Sequence, residues 1–125
     1  MTKVGRANGE SDSLRQQVAE CFVQTEVQTQ FSYRIISMQN RGLVPNYEAS
    51  TAKLFGSELS QRLANLGVKV LGLYGQLWDE QDRRAPLEAA YPHSYVVSVS
   101  STIAAGTSEI QRNIIATRGL GLPRG

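Results

Sequence analysis

The sequence predicts an all-α fold, a helical bundle built on a long antiparallel helix hairpin plus shorter C-terminal helices. Three observations carry this expectation. Residues 14–40 contain neither Gly nor Pro, so nothing breaks a helix of about 40 Å at 1.5 Å per residue. The positions Ala52, Phe55, Leu59, Leu63, Leu66, Val70, Leu73 and Leu77 advance in steps of three and four, as a packed helix face requires. Near the C-terminus, Ser108-Glu109-Ile110-Gln111 reads as a helix start, and Gly119, Gly121 and Pro123 as its stop.

The elements follow in order. Residues 1–13 are small and polar and read as a flexible arm, with Asp12 or Ser13 placed to cap the next helix. The first helix, Leu14 to about Asn40, carries two apolar sets: Leu14, Val18, Cys21, Phe22, Ile35 and Ile36, then Ala19, Val23, Val27, Phe31 and Met38. Two apolar faces imply more than one partner helix. A turn at 41–46 holds Gly42 and Pro45. The second helix runs from about Tyr47 to Leu71, and its interior Gly56 and Gly67 imply close helix approach, because each costs about 1 kcal/mol relative to Ala. A hairpin follows from two long helices and a short turn.

Residues 72–92 form a long excursion, with Trp78 as a packing anchor and a short helical turn at 86–90. The β-branched stretch 95–105 reads as a short buried helix between helices, although alone it could be a strand. In the last helix Ser108 is expected to cap, Gln111 to reach back, and Ile110, Ile114 and Ile115 to face the core. Arg112 and Arg118 then point outward, and Arg118 suits the negative helix end.

The chain has 125 residues, which fits one domain of residues 14–125 after the arm. Thirteen Lys and Arg against eleven Asp and Glu leave no dense basic patch, and no helix carries a basic stripe, so nucleic acid is not an expected partner. No apolar run approaches the ~20 residues of a membrane span, and no apolar stretch follows Met1, so neither a membrane nor a secretory signal is expected. A cytoplasmic location follows from that expectation. One Cys and one His exclude an internal disulfide, a Cys-based zinc site and any design needing two histidines. No metal site is expected.

The chemistry narrows to one segment. His93 reads as a surface histidine, Cys21 as a small core residue, and Asp79, Glu80 and Asp82 beside Arg83 and Arg84 as a solvated cluster. The glycines at 72/75 and 119/121 make no G-x-G-x-x-G after a strand. Gly106-Thr107-Ser108-Glu109 places backbone N–H groups and two hydroxyls at a helix start. Such a start can cradle a phosphate or a polar cofactor edge, or it is simply a well-capped helix.

Residues 106–116, Gly-Thr-Ser-Glu-Ile-Gln-Arg-Asn-Ile-Ile-Ala, followed by Leu120-Gly-Leu-Pro-Arg124, resemble the C-terminal signature of the acyl-CoA dehydrogenases. Lys53-Leu-Phe-Gly-Ser-Glu58 and Val70-Leu71-Gly72 with Gly75 are similar to that family as well. The resemblance runs from about Leu14 to Arg124 and concerns the family's C-terminal helical bundle. Such enzymes use FAD to desaturate an acyl-CoA thioester between its α and β carbons, and are commonly dimers of dimers.

By that resemblance Thr107, Ser108 and Glu109 contact FAD, and Gly106 lies near the acyl-CoA substrate. Val70, Leu71 and Gly72 touch the FAD of a neighbouring subunit. Within that second segment Lys69 and Leu73 depart from the family's Gln and Gly. Ala105 occupies the position of the Glu that takes the α proton in many members, and an alanine cannot abstract a proton. The resemblance therefore implies FAD contacts and an oligomer interface, as a homo-oligomer or a partner subunit, with no dehydrogenation by the chain alone. The alternative is a non-catalytic helical oligomerisation or interaction module without flavin. Spare apolar helix faces on so short a chain imply association in either case.

Overall fold

The computed structural model describes residues 8–124. Its helices are α1 (Asn8–Asn40), α2 (Tyr47–Leu71), α3 (Ala90–Ser101) and α4 (Ser108–Ile114). Turns of 3₁₀ helix occupy Gly72–Gln76 and Pro86–Ala89, and a π-turn at Ile115–Gly119 follows α4. No strand occurs among the described residues, so the stretch around Val96 is helical. The α2 boundaries coincide with those expected from the sequence.

The start of α1 differs from expectation. It begins at Asn8, six residues ahead of Leu14, so Asp12 and Ser13 lie inside the helix and do not cap it. Residues 1–7 of the expected arm lie outside the described residues.

The hub of the bundle is α2. It packs against α1, α3 and α4, whereas α1 packs substantially on α2 alone. The apolar core is small: Cys21, Leu59, Ala64, Leu66 and Ala89 are buried. Leu59 and Leu66, from the expected stripe, each contribute about 1.5–3 kcal/mol by burial. Ala64 lies nearly opposite Leu59 on the helix, so α2 is covered on two sides and not along one stripe. Equally many polar residues are buried, namely Glu48, Ser50, Ser98, Ser108 and Gln111. Small and hydrogen-bonding side chains thus fill much of the space between helices.

Close approach explains the α2 glycines. A Cβ on Gly67 would fall inside the ring of Tyr91 from α3, and one on Gly56 would meet the Gln28 amide of α1 at 3.0 Å. The seam between α1 and α2 is rich in glutamine, and Gln28 Nε2 donates to the Ala52 carbonyl at 3.4 Å.

Two expected core faces are largely open. On α1, Val18, Phe22, Tyr33 and Ile36 are exposed on one flank, and Val23 and Val27 on the other. On α3, Val96, Val97 and Val99 are exposed, so this helix is not the buried one expected. Its phase is the reason: Tyr91 and Ser98, seven residues apart, face α2 and turn the valines outward. Ile110 of α4 is likewise half exposed, while Ile114 and Ile115 are partly covered.

The excursion between α2 and α3 is held by one stacked pair. The Trp78 and His93 rings stack with centroids 4.0 Å apart, and His93 Nε2 lies 2.9 Å from the Trp78 carbonyl oxygen. Trp78 therefore anchors the loop as expected, and the single histidine supplies the other half of the anchor. Asp82 receives a two-pronged contact from the Arg84 guanidinium at 3.0 and 2.8 Å, within a solvated charge cluster.

Candidate functional site

The turn between α3 and α4 is held by side chains from two helices. Ala105 and Gly106 both have positive φ, at 56° and 95°. This conformation is easy for Gly106 and costs about 1–2 kcal/mol for an L-residue such as Ala105. Hydrogen bonds offset that cost. Gln111 Nε2 donates to the Ala105 carbonyl at 3.1 Å and the Gly106 carbonyl at 3.4 Å. Lys53 Nζ, reaching across from α2, donates to the same Gly106 carbonyl at 2.6 Å.

The cap of α4 is shifted by one residue from the sequence expectation. Thr107, not Ser108, is the N-cap, and its Oγ1 accepts from the Ile110 N–H at 3.4 Å. Gln111 reaches back, but to the Ala105 and Gly106 carbonyls and not to a backbone N–H. The reason is the turn itself: its two outward carbonyls need donors, and the amide of Gln111 supplies them.

The Ser108, Ile110 and Gln111 N–H groups at the start of α4 are already used within the chain. Ser108 N–H donates to the Thr102 carbonyl at 3.2 Å, and Gln111 N–H to the Thr107 carbonyl at 3.0 Å. The nearby backbone N–H of Glu109 itself, then the Thr107 hydroxyl, hold the Glu109 carboxyl below the ordinary carboxylate range. Three N–H groups that a phosphate cradle would use are therefore engaged by intrachain acceptors. What stays available is side-chain chemistry.

That chemistry lines a groove of about 400 Å³ formed by Glu58, Gln61, Arg62, Thr102, Ser108, Glu109 and Arg112. Arg112 and Glu58 are ion-paired at 2.5 Å across it, joining α4 to α2. Exposed Arg62, the Glu109 carboxylate and the hydroxyls suit the charged and hydrogen-bonding edges of a dinucleotide. These residues therefore fit such a group by side chains and not by helix N–H groups.

Glu58 is engaged by Arg112, and the lowered pKa of Glu109 makes it a weaker base than an ordinary carboxylate. Among the described residues no three His, Cys, Asp or Glu side chains gather as a metal site.

The second candidate segment lies elsewhere. Val70 and Leu71 end α2 and line an apolar groove of about 590 Å³ together with Val18, Phe22, Leu87 and Tyr91. Gly72 follows in the exposed 3₁₀ turn. Ten residues of α2, about 15 Å of rise, separate Arg62 from Gly72. The two segments are not brought together within this chain.

Sequence reasoning overlooked Lys53, Arg62, Thr102, Glu58 and Arg112 as a set. A weak signal existed, because Lys53 and Glu58 bound the Lys-Leu-Phe-Gly-Ser-Glu segment. Their partners at Gly106 and Arg112, more than fifty residues away, left no local trace.

The family profile described as "Acyl-CoA dehydrogenase, C-terminal domain" matches residues 2–120. The chain belongs to the acyl-CoA dehydrogenase family. An acyl-CoA dehydrogenase of Bacillus subtilis (strain 168) is 30% identical over 117 residues, covering 94% of this chain and 28% of that protein. The acyl-CoA dehydrogenase FadE26 of Mycobacterium tuberculosis is 36% identical over 77 residues, covering 62% of this chain and 19% of that protein.

Among solved structures, the ChsE4–ChsE5 complex from Mycobacterium tuberculosis superposes with a TM-score of 0.81 at 30% identity. It covers 90% of this chain and 29% of that one. The Tcur3481–Tcur3483 steroid ACAD shares the fold, with a TM-score of 0.83 at 20% identity over 90% of this chain and 29% of that one. The chain spans less than a third of the length of each of these relatives. No described helix is long and apolar enough to cross a membrane.

Proposed function

We propose that this chain forms the C-terminal helical part of an FAD-dependent acyl-CoA dehydrogenase. In it, Thr107, Ser108 and Glu109 contribute side-chain contacts to FAD, and Gly106 borders the acyl-CoA. Bound FAD supplies the hydride acceptor for α,β-desaturation of the thioester. The chain's own residues hold and orient: Glu109 accepts from hydroxyl or imide donors, Arg62 meets negative charge, and the 105–107 turn sets their spacing. With alanine at 105, the chain holds no group there that removes the α proton, and alone it does not turn over substrate.

The observation that carries this proposal is the pinned turn that leads directly into Ser108 and Glu109, which line the Glu58–Arg112 groove. A strained Ala105-Gly106 pair held by donors from two helices is more than helix capping needs.

Val70, Leu71 and Gly72 then serve a neighbouring subunit's flavin, which agrees with their distance from the first segment. The open flanks of α1 and α3 form the surfaces of an oligomer or of a pairing with a partner subunit. A solved relative that is a complex of two differently named subunits supports that arrangement.

The test is titration of the purified chain with FAD, followed by flavin fluorescence and sedimentation. Saturable binding, self-association and no turnover of acyl-CoA with an artificial electron acceptor are expected. Absence of flavin binding would leave a non-catalytic interaction module, and turnover by the chain alone would overturn the assignment of a missing base.

A further inference from the structure

We infer that Lys53 is a positioning residue whose ammonium sets the conformation of the 105–107 turn, and through it the flavin-contacting side chains. The inference rests on the cofactor contact proposed above for Thr107–Glu109. Lys53 is half buried on α2, and its Nζ donates to the Gly106 carbonyl at 2.6 Å across 53 residues of sequence. Among the described residues no carboxylate lies within ion-pair distance of it.

A partly desolvated ammonium on a neutral carbonyl is an expensive way to join two helices, since an apolar contact would serve packing alone. What the cation adds is a short charge-assisted hydrogen bond of fixed direction. That direction matters here because the carbonyl belongs to Gly106, the residue freest to rotate. Gln111 holds the same carbonyl only at 3.4 Å and divides its amide between Ala105 and Gly106. Without Lys53, Gly106 keeps one long, shared donor. Thr107 follows Gly106 directly and Glu109 stands three residues on at the start of α4, so a rotation at Gly106 re-aims Thr107 and shifts the turn that leads into Glu109.

The experiment compares the full chain with Lys53→Met by amide hydrogen exchange without FAD, and by FAD titration. Segment 103–109 is expected to exchange about tenfold faster in the variant, with segments 21–31 and 59–66 unchanged. FAD affinity is expected to fall about tenfold, the scale of one lost charged hydrogen bond. Unchanged exchange at 103–109 overturns the inference. Equal acceleration over all three segments also overturns it, because Lys53 is then a general support of the bundle. A loosened turn with unchanged FAD affinity overturns the link to the cofactor. If the parent chain binds no FAD, the cofactor proposal fails by itself, and the exchange comparison still decides whether Lys53 sets the turn. Lys53→Gln, which keeps a neutral donor of shorter reach, is read the same way should the methionine variant misfold.

Discussion

Tyr91 lays its ring directly over the backbone of Gly67. A methyl group at position 67 would fall within that ring, so α3 sits at the distance from α2 that glycine permits. The tyrosine occupies the space that a side chain would otherwise claim, and the helix gives up propensity to accommodate it.

Gly67→Ala is accordingly expected to destabilise the chain by about 1–3 kcal/mol through overpacking, despite a gain of up to about 1 kcal/mol in helix propensity. In a Tyr91→Ala background the sign should reverse, because only the propensity gain remains. Urea unfolding of both pairs measures this, and a stabilising Gly67→Ala in the parent chain would show that the ring moves freely aside.

Thr107 caps α4 through Oγ1, which accepts from the Ile110 N–H. Thr107→Ala should therefore lower stability by about 1 kcal/mol, within the usual 0.5–2 range for a lost cap. Thr107→Ser keeps the oxygen and should be nearly neutral. Ser108→Ala tests the one-residue shift of the cap: if it cost more than Thr107→Ala in the urea midpoint at constant m, the cap would be Ser108.

The Arg84 guanidinium and the Arg84 backbone N–H draw the Asp82 carboxyl down from 3.8 to about 2. A folded-state pKa below the unfolded value means that the contact stabilises the loop fully above about pH 4. That contribution is lost as pH falls towards 2. Trp78 is the only tryptophan and belongs to the same loop, so its fluorescence should stay constant down to about pH 4 and change between there and pH 2. In Asp82→Asn the step attributable to this pair should disappear, and its persistence would assign the transition to another carboxylate.

Much of the fold was legible in local pattern. The α2 limits at Tyr47 and Leu71, the stop at Gly119 and the close approach at Gly67 all follow from spacing and from residues with few conformational options. The cap of α4 was legible to within one residue, since Thr107 and Ser108 are chemically alike and only the Gly106 conformation chooses between them. The outward turn of Val96 and Val97 was not legible, because β-branched side chains record a wish for burial without saying what buries them.

By itself the sequence determined that the chain is helical, where α2 lies, and that Ala105 holds no proton-abstracting group. Helix periodicity, glycine punctuation and side-chain titratability are properties of the nearest few residues. Only the tertiary structure decided that Lys53 meets Gly106, that Glu58 meets Arg112, and that the Ser108 N–H at the start of α4 is taken by the Thr102 carbonyl. It also decided that the two candidate segments border different grooves, Ser108 and Glu109 one and Val70 and Leu71 another. Those outcomes depend on how α2 is rotated and shifted against α3 and α4, and the relative setting of packed helices is fixed by contacts between residues far apart in sequence.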